Sequence, residues 1–240
     1  MIRALAGLEE LRAACGDDEL LMWVAQDLRG GARAWAGGDA VVVAAPQVAR
    51  HDRVAVFGGT ASAARLAGHA LAELGPSYRI QGEPGLVGEV AGKLSLRVAA
   101  RFSMMTLTTP VPAASEGVGW LPAQQEAEVG ELLAEHAPHS YAVPGMGGVR
   151  RWAGLRVRGR LAAVAAEAWS APSVGVLAGV ATSDAFRGQG LAGRVCGWVS
   201  EQLLQAYGRV ALVVDDDNVA ALRVYERLGY RRRPILTAGP

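Results

Sequence analysis

Hydrophobic positions recur along this chain with two periods, and the switching between them divides it into elements. Glu9 to Ala14 and Asp18 to Leu28 carry apolar residues at helical spacing, with Asp17 or Asp18 as candidate caps and Gly30-Gly31 as the stop. Ala32 to Trp35 and Ala40 to Ala45 flank Gly37-Gly38 and predict a hairpin. Arg53 to Phe57 reads as a short strand, Gly58-Gly59-Thr60 as a turn, and Ala61 to Leu74 as an alanine-rich helix. Tyr78 to Ile80 predicts a strand, Pro84 to Lys93 a helix, and Leu96 to Thr108 one or two strands.

The pattern then repeats. Pro122 to His136 has helical spacing and an acidic face. Arg150 to Val157 and Leu161 to Trp169 read as antiparallel strands around an Arg158-Gly159-Arg160 turn. Val174 to Ala181 is an apolar run that ends in a polar turn, and an amphipathic helix opens after Gly190. Arg209 to Val214 is a further strand, followed by a helix that ends at Gly229-Tyr230. Helices interleaved with strands predict an α/β chain with a mixed sheet. Thr109 to Ser115, rich in proline and small residues, is where a linker belongs, so the expected division is 1–112 and 113–240.

Composition narrows the class. The chain has 240 residues, 51% of them hydrophobic, and a formal net charge of +1, which is enough apolar material for a core and too little basic excess for a nucleic-acid binder. Arginines do cluster at Arg150-Arg151, Arg156 to Arg160 and Arg231 to Arg233, a pattern that fits solvated strand ends and tails. Cys15 and Cys196 lie far apart with no CxxC context, so neither a metal site nor a disulfide framework is expected. The N-terminal stretch carries acids early and lacks the apolar run of a signal peptide, and no run approaches the roughly 18 apolar residues of a membrane span. The expectation is a cytoplasmic protein with no membrane partner.

The chemistry gathers at Val174 to Gly193. A strand there delivers the chain into a glycine-rich turn at a helix N-terminus, where the first amides lack helical partners and the dipole favours an anion. Gly188 and Gly190 remove side chains that would hold a ligand off the backbone, and Arg187 adds a fork of donors suited to phosphate. Gly188, Gly190 and Gly193 also fit the spacing of a dinucleotide-binding loop, so the glycines alone do not decide between ligands.

The run Arg187-Gly188-Gln189-Gly190-Leu191-Ala192 resembles the Arg/Gln-x-x-Gly-x-Gly/Ala signature of the GNAT superfamily of N-acetyltransferases. Downstream, Asn218, Ala221, Tyr225 and Gly229-Tyr230 match that family's Asn-x-x-Ala-x-x-x-Tyr-x-x-x-Gly-Phe/Tyr pattern without a gap, a match a dinucleotide enzyme does not explain. The resemblance covers about residues 120 to 235. It implies a GNAT fold, and the repeated order of elements in residues 1–112 suggests a second, degenerate copy. The first copy has no Arg-x-x-Gly-x-Gly run after its strand and no Asn…Tyr pattern, although a phosphate at Gly58-Gly59 stays open.

What the resemblance implies for function is transfer of an acetyl group from acetyl-CoA to a primary amine of a small molecule or peptide. Carried onto this chain, the main chains of Val180, Ala181 and Thr182 would bond the pantetheine arm, and residues Arg187, Gly188, Gln189, Gly190, Leu191, Ala192 and Gly193 would surround the pyrophosphate. Asn218 would tie the last helix to the cofactor or serve as a plain N-cap, two compatible roles. Tyr225, seven residues on and displaced by only about 20° around the helix, would return a proton to the departing thiolate. No Glu or His lies between Val174 and Thr182, so Glu167 on the neighbouring strand is the best substitute for a base, facing either pocket or solvent. His139 and Tyr141, in the loop after the acidic helix, are the candidate acceptor-binding residues. A non-catalytic acyl-CoA-binding or scaffolding module is the competing expectation.

Overall fold

A computed structural model describes residues 1–109 and 115–240, so most of the predicted linker lies outside the described residues. The chain divides into two compact units. One comprises Met1–Met104, Ala171–Ser173 and Arg233–Pro240; the other comprises Met105–Ser170 and Val174–Arg232.

The first unit opens with β1 (Arg3–Ala4), α1 (Leu8–Cys15) and α2 (Glu19–Val24). Three antiparallel strands follow, β2 (Arg33–Gly37), β3 (Ala40–Val48) and β4 (His51–Gly58). Then come α3 (Thr60–Leu74), β5 (Arg79–Gly82), α4 (Pro84–Leu94) and β6 (Arg97–Leu107), which passes into the second unit at Met105. Alanine patterning decides how α3 packs. Ala63, Ala64, Leu66, Ala67 and Ala70 form its buried face, and small side chains there let it lie close to Val42, Val54, Val56 and Ile80. Glu83 caps α4, accepting from the Gly85 and Leu86 amides at 3.0 and 2.8 Å, with Pro84 in the first turn where a missing N–H costs nothing. Those two bonds hold the Glu83 carboxyl below the usual range.

The second unit contains β7 (Val118–Trp120), α5 (Glu126–His136), β8 (Val149–Val157), β9 (Arg160–Ala168), β10 (Gly175–Thr182), α6 (Leu191–Tyr207), β11 (Val210–Asp215) and α7 (Val219–Arg227). Its strands run in the order β11-β10-β9-β8-β7, antiparallel except for β10 and β11. Its core joins Leu177, Leu191, Val195, Val199, Leu212, Leu222 and Tyr225. Among the described residues, no helix is long and apolar enough to cross a membrane.

Three elements escaped the sequence pattern: the two- and three-residue strands β1 and β7, and β12 (Arg231–Gly239). Arg231 to Arg233 read as a tail, yet the chain continues as a strand whose Leu236, Thr237 and Ala238 pair antiparallel with Gly82, Gln81 and Ile80 in the first unit. The basic clusters are also more engaged than expected. Arg156 forks onto Glu128, Arg232 pairs with Asp216 at 2.8 Å, and Arg233 pairs with Asp18 at 2.6 Å.

Asp18 does two jobs: its Oδ1 accepts from the Leu20 and Leu21 amides at the start of α2, and its Oδ2 holds Arg233. Asp18→Ala should therefore lower unfolding stability by about 2 kcal/mol in a urea titration. Asp18→Asn, which keeps the cap acceptor and loses the charge, should lose clearly less.

Candidate active site

The site in the second unit begins where two strands stop pairing. β10 and β11 run parallel with Gly175 opposite Val210 and Val176 opposite Ala211, and the register ends there. From Leu177 to Thr182 on one side, and from Leu212 to Asp215 on the other, the facing backbone groups are left to other partners. Val213 is 38% exposed on this stretch of β11, between the buried Leu212 and Val214. On its other edge, β10 carries a bulge. Ala178 stands opposite Ala166 and Ala181 opposite Val164, so Gly179 and Val180 together face Ala165. Gly179 takes φ +60°, and a Cβ there would fall 2.5 Å from the Trp152 ring. Only glycine fits.

Past Thr182, residues Asp184–Phe186 make a single tight turn, and Gly190 (φ +75°) caps α6 with no side-chain bond. The amides of Leu191, Ala192 and Gly193 lie in the first turn of α6, where no preceding helical carbonyl reaches them. A Cβ at Gly188, Gly190 or Gly193 would meet nothing within 4 Å, so the backbone is open on the side a ligand approaches. These features fit an acyl-CoA diphosphate and arm: a free strand edge, open amides at a helix start, and a cation beside them.

Arg187 does not stand free. Its Nη2 lies 2.8 Å from Asp184 Oδ1 and donates to the His136 carbonyl at 3.3 Å. His136, at the end of α5, has its Nδ1 3.4 Å from Asp184 Oδ1. This His136–Asp184–Arg187 group joins α5 to the glycine turn. Sequence reasoning missed it, because 48 residues separate His136 from Asp184 and no local pattern links them. Beyond α5 the loop touches the bulge at Ala142, whose Cβ would lie 3.2 Å from a Cβ on Gly179. Its neighbour Tyr141 is 49% exposed, and His139 is exposed three residues before Ala142.

Asn218 is the N-cap of α7, its Oδ1 accepting from the Ala221 amide at 3.1 Å. Two turns on, Tyr225 is buried, its ring 5.8 Å from that of Tyr230. The Tyr230 hydroxyl is held at 2.6 Å by Ser200, which donates to the Cys196 carbonyl, whereas no hydrogen bond to the Tyr225 hydroxyl occurs among the described residues. Burial pushes the Tyr225 phenol well above its ordinary value, with the neighbouring Cys196 and Tyr230 adding to the shift. It therefore stays protonated and able to donate.

Glu167 points the other way from what a base requires. It is 1% exposed, with Arg151 Nε at 2.8 Å from one oxygen, the Tyr207 hydroxyl donating to the other at 2.6 Å, and Arg150 at 3.5 Å. Both oxygens are committed. Arg151 in turn stacks over Trp120 at 3.8 Å, so the carboxylate anchors β9 to the end of α6.

The corresponding turn of the first unit is built differently. β4 ends at Gly58 and α3 begins at Thr60, leaving one residue where the second unit has eight. The Asp39 carboxylate sits on that turn, its Oδ2 pressed against the place a Gly59 Cβ would take. β4 and β5 pair at Arg53/Arg79, Val54/Ile80 and Ala55/Gln81, and Gly82 still lies close against the Val56 carbonyl. The strands do not part along β5, and a carboxylate stands beside the turn.

Residues 153–236 match the family model described as FR47-like protein. No curated protein matches the sequence. In fold, the chain is similar to a GCN5-related N-acetyltransferase from Sphaerobacter thermophilus (TM-score 0.62, 17% identity, 99% of this chain and 94% of that one). It is also similar to a GCN5-related N-acetyltransferase from Kribbella flavida (TM-score 0.59, 20% identity, 95% and 94%). A tandem GNAT protein from the clavulanic acid biosynthesis pathway aligns over 100% of this chain and 98% of its own (TM-score 0.51, 15% identity).

Burial raises the Cys196 thiol to about 12 and lifts the Tyr225 and Tyr230 phenols above their ordinary range. The unfolded chain then releases these protons first as pH rises, so the folded state loses relative stability with increasing pH. The melting temperature should hold level to about pH 9 and fall beyond it. Tyr225→Phe should make the fall shallower in a pH series of thermal melts.

Proposed function

We propose, from the premise that this chain is an acyltransferase of the GNAT superfamily, that its second unit transfers the acetyl group of acetyl-CoA to a primary amine of a small molecule or peptide in the cytoplasm. The parting of β10 from β11 carries the reading. An arm with alternating amides can join a strand edge as an added strand would, and this edge lies beside open helix-start amides. The main chains of Val180, Ala181 and Thr182 supply the edge. Arg187, Gly188, Gln189, Gly190, Leu191, Ala192 and Gly193 supply the seat for the diphosphate, with Arg187 turning from Asp184 toward the new negative charge. Asn218 fixes the start of α7, and α7 fixes Tyr225.

The thioester, when bound, brings an activated acyl carbon. The bulge at Gly179 and Val180 leaves an amide able to stabilise the developing oxyanion. Tyr225 holds its proton for the departing sulfur, and its burial keeps that proton in place across neutral pH. With Glu167 committed to two arginines and a tyrosine, the amine loses its proton to water. Tyr141 and His139 border the side from which the amine enters. The first unit is read as a GNAT-like copy that has lost its cofactor seat; the expected 1–112 and 113–240 division stays a proposal about the sequence, with Arg233–Pro240 returning to the first unit in the fold.

The committed state of Glu167 favours one second reading, a module that binds acyl-CoA without turning it over. Release of free thiol from acetyl-CoA across a panel of amines separates the two. In Tyr225→Phe, kcat on a responsive amine should fall about 100-fold with the KM for acetyl-CoA within twofold. Binding with no thiol release on any amine would favour the silent module. Calorimetric titration should give one acetyl-CoA per chain, and Gly190→Val should abolish that single binding event.

A further inference from the structure

Trp152 belongs to β8, yet its ring ends two strands away. It stands opposite Ala166 of β9, and Ala166 stands opposite Ala178 of β10. The far edge of the indole reaches the bulge, its Cη2 and Cζ3 lying 2.5 and 2.8 Å from where a Gly179 Cβ would be. Ala142 closes on the same point from the loop after α5. Four residues around this spot, Ala142, Ala166, Ala178 and Gly179, are among the smallest available, and a single large ring fills the space they leave.

The indole fills this space at a cost. The ring is 1% exposed and its Nε1 is buried with no partner, a penalty that a phenylalanine would not incur. What the indole adds is reach. A phenyl ring on β8 would stop short of the bulge, leaving a channel over Ala166 that opens at Gly179.

Resting on the reading of β10 as the thioester's seat, we propose that Trp152 sets the acyl-chain length and restricts the donor to short acyl-CoAs of two or three carbons. A carbonyl bonded to a bulge amide lays its acyl substituent against Gly179, and the surface behind a residue with no side chain is the edge of the indole. An acetyl group ends there. A butyryl or hexanoyl chain has to enter the volume the ring occupies.

The test measures kcat/KM for acetyl-, butyryl- and hexanoyl-CoA with one responsive amine, alongside thermal stabilisation by each thioester without amine. The native chain should prefer acetyl over hexanoyl by at least about 100-fold. Trp152→Ala should shift that ratio toward hexanoyl by at least about tenfold and gain stabilisation from hexanoyl-CoA; Trp152→Leu, which keeps more of the core, should shift it in the same direction if the alanine variant does not fold. A folded variant that is slower on every donor with an unchanged ratio overturns the proposal, as does a native chain indifferent to chain length. A native chain that no acyl-CoA stabilises overturns the underlying reading together with it, a result distinct from a failure of selectivity alone.

Discussion

Two parallel strands that pair for two residues and then separate are the constraint on which the rest of the second unit depends. Backbone groups in a sheet seek partners, and leaving several of them facing a gap costs free energy that the surrounding structure must offset. The offsets are visible. Gly175 and Val176 are held firmly at the start of β10, the Val176 amide donating to the Ser170 hydroxyl at 3.0 Å and the Gly175 amide to the Arg209 carbonyl at 3.0 Å. The Glu167 group, tied to Arg150, Arg151 and Tyr207, fastens β9 opposite Leu177 at the level where the gap begins. Beyond that point the bulge at Gly179 and Val180 turns the strand, and pairing with β11 is not resumed.

The two units can be compared at this point. Both place a glycine-bearing turn between a strand and a helix, and only one of them leaves the turn open. In the first unit, Asp39 brings a carboxylate to the helix start and β5 stays close to β4 for its whole short length. A carboxylate beside a helix N-terminus interacts with the same dipole that an external anion would. The two turns differ in loop length and in one acid.

Local features were legible from residue order, and distant ones were not. The glycine turn, the Asn218 cap and the two-turn spacing to Tyr225 are set within a dozen residues, so periodicity and capping rules reach them. Glu167 shows the limit. Its place on β9 was readable, but its direction depends on Tyr207, forty residues away, and on the irregular register that sets Arg151 opposite it. Trp152, Ala142 and His136 act across the sheet or across a loop, where sequence spacing carries no information. Strand β12 was missed for a different reason. A run of three arginines and a proline looks like a tail, and the edges of β5 and β6 turn the residues after it into a strand.

That last strand has a consequence for how the molecule comes into being. The sheet edge at Gly82, Gln81 and Ile80 is synthesised early and finds its partner only in Leu236, Thr237 and Ala238. Until those residues are made, the first unit carries an unfilled β-edge at β5, so it cannot close its sheet from residues 1–104 alone. A unit whose strands lie roughly 150 residues apart must close that long loop before its sheet is complete, and pairing across so wide a separation is intrinsically slow.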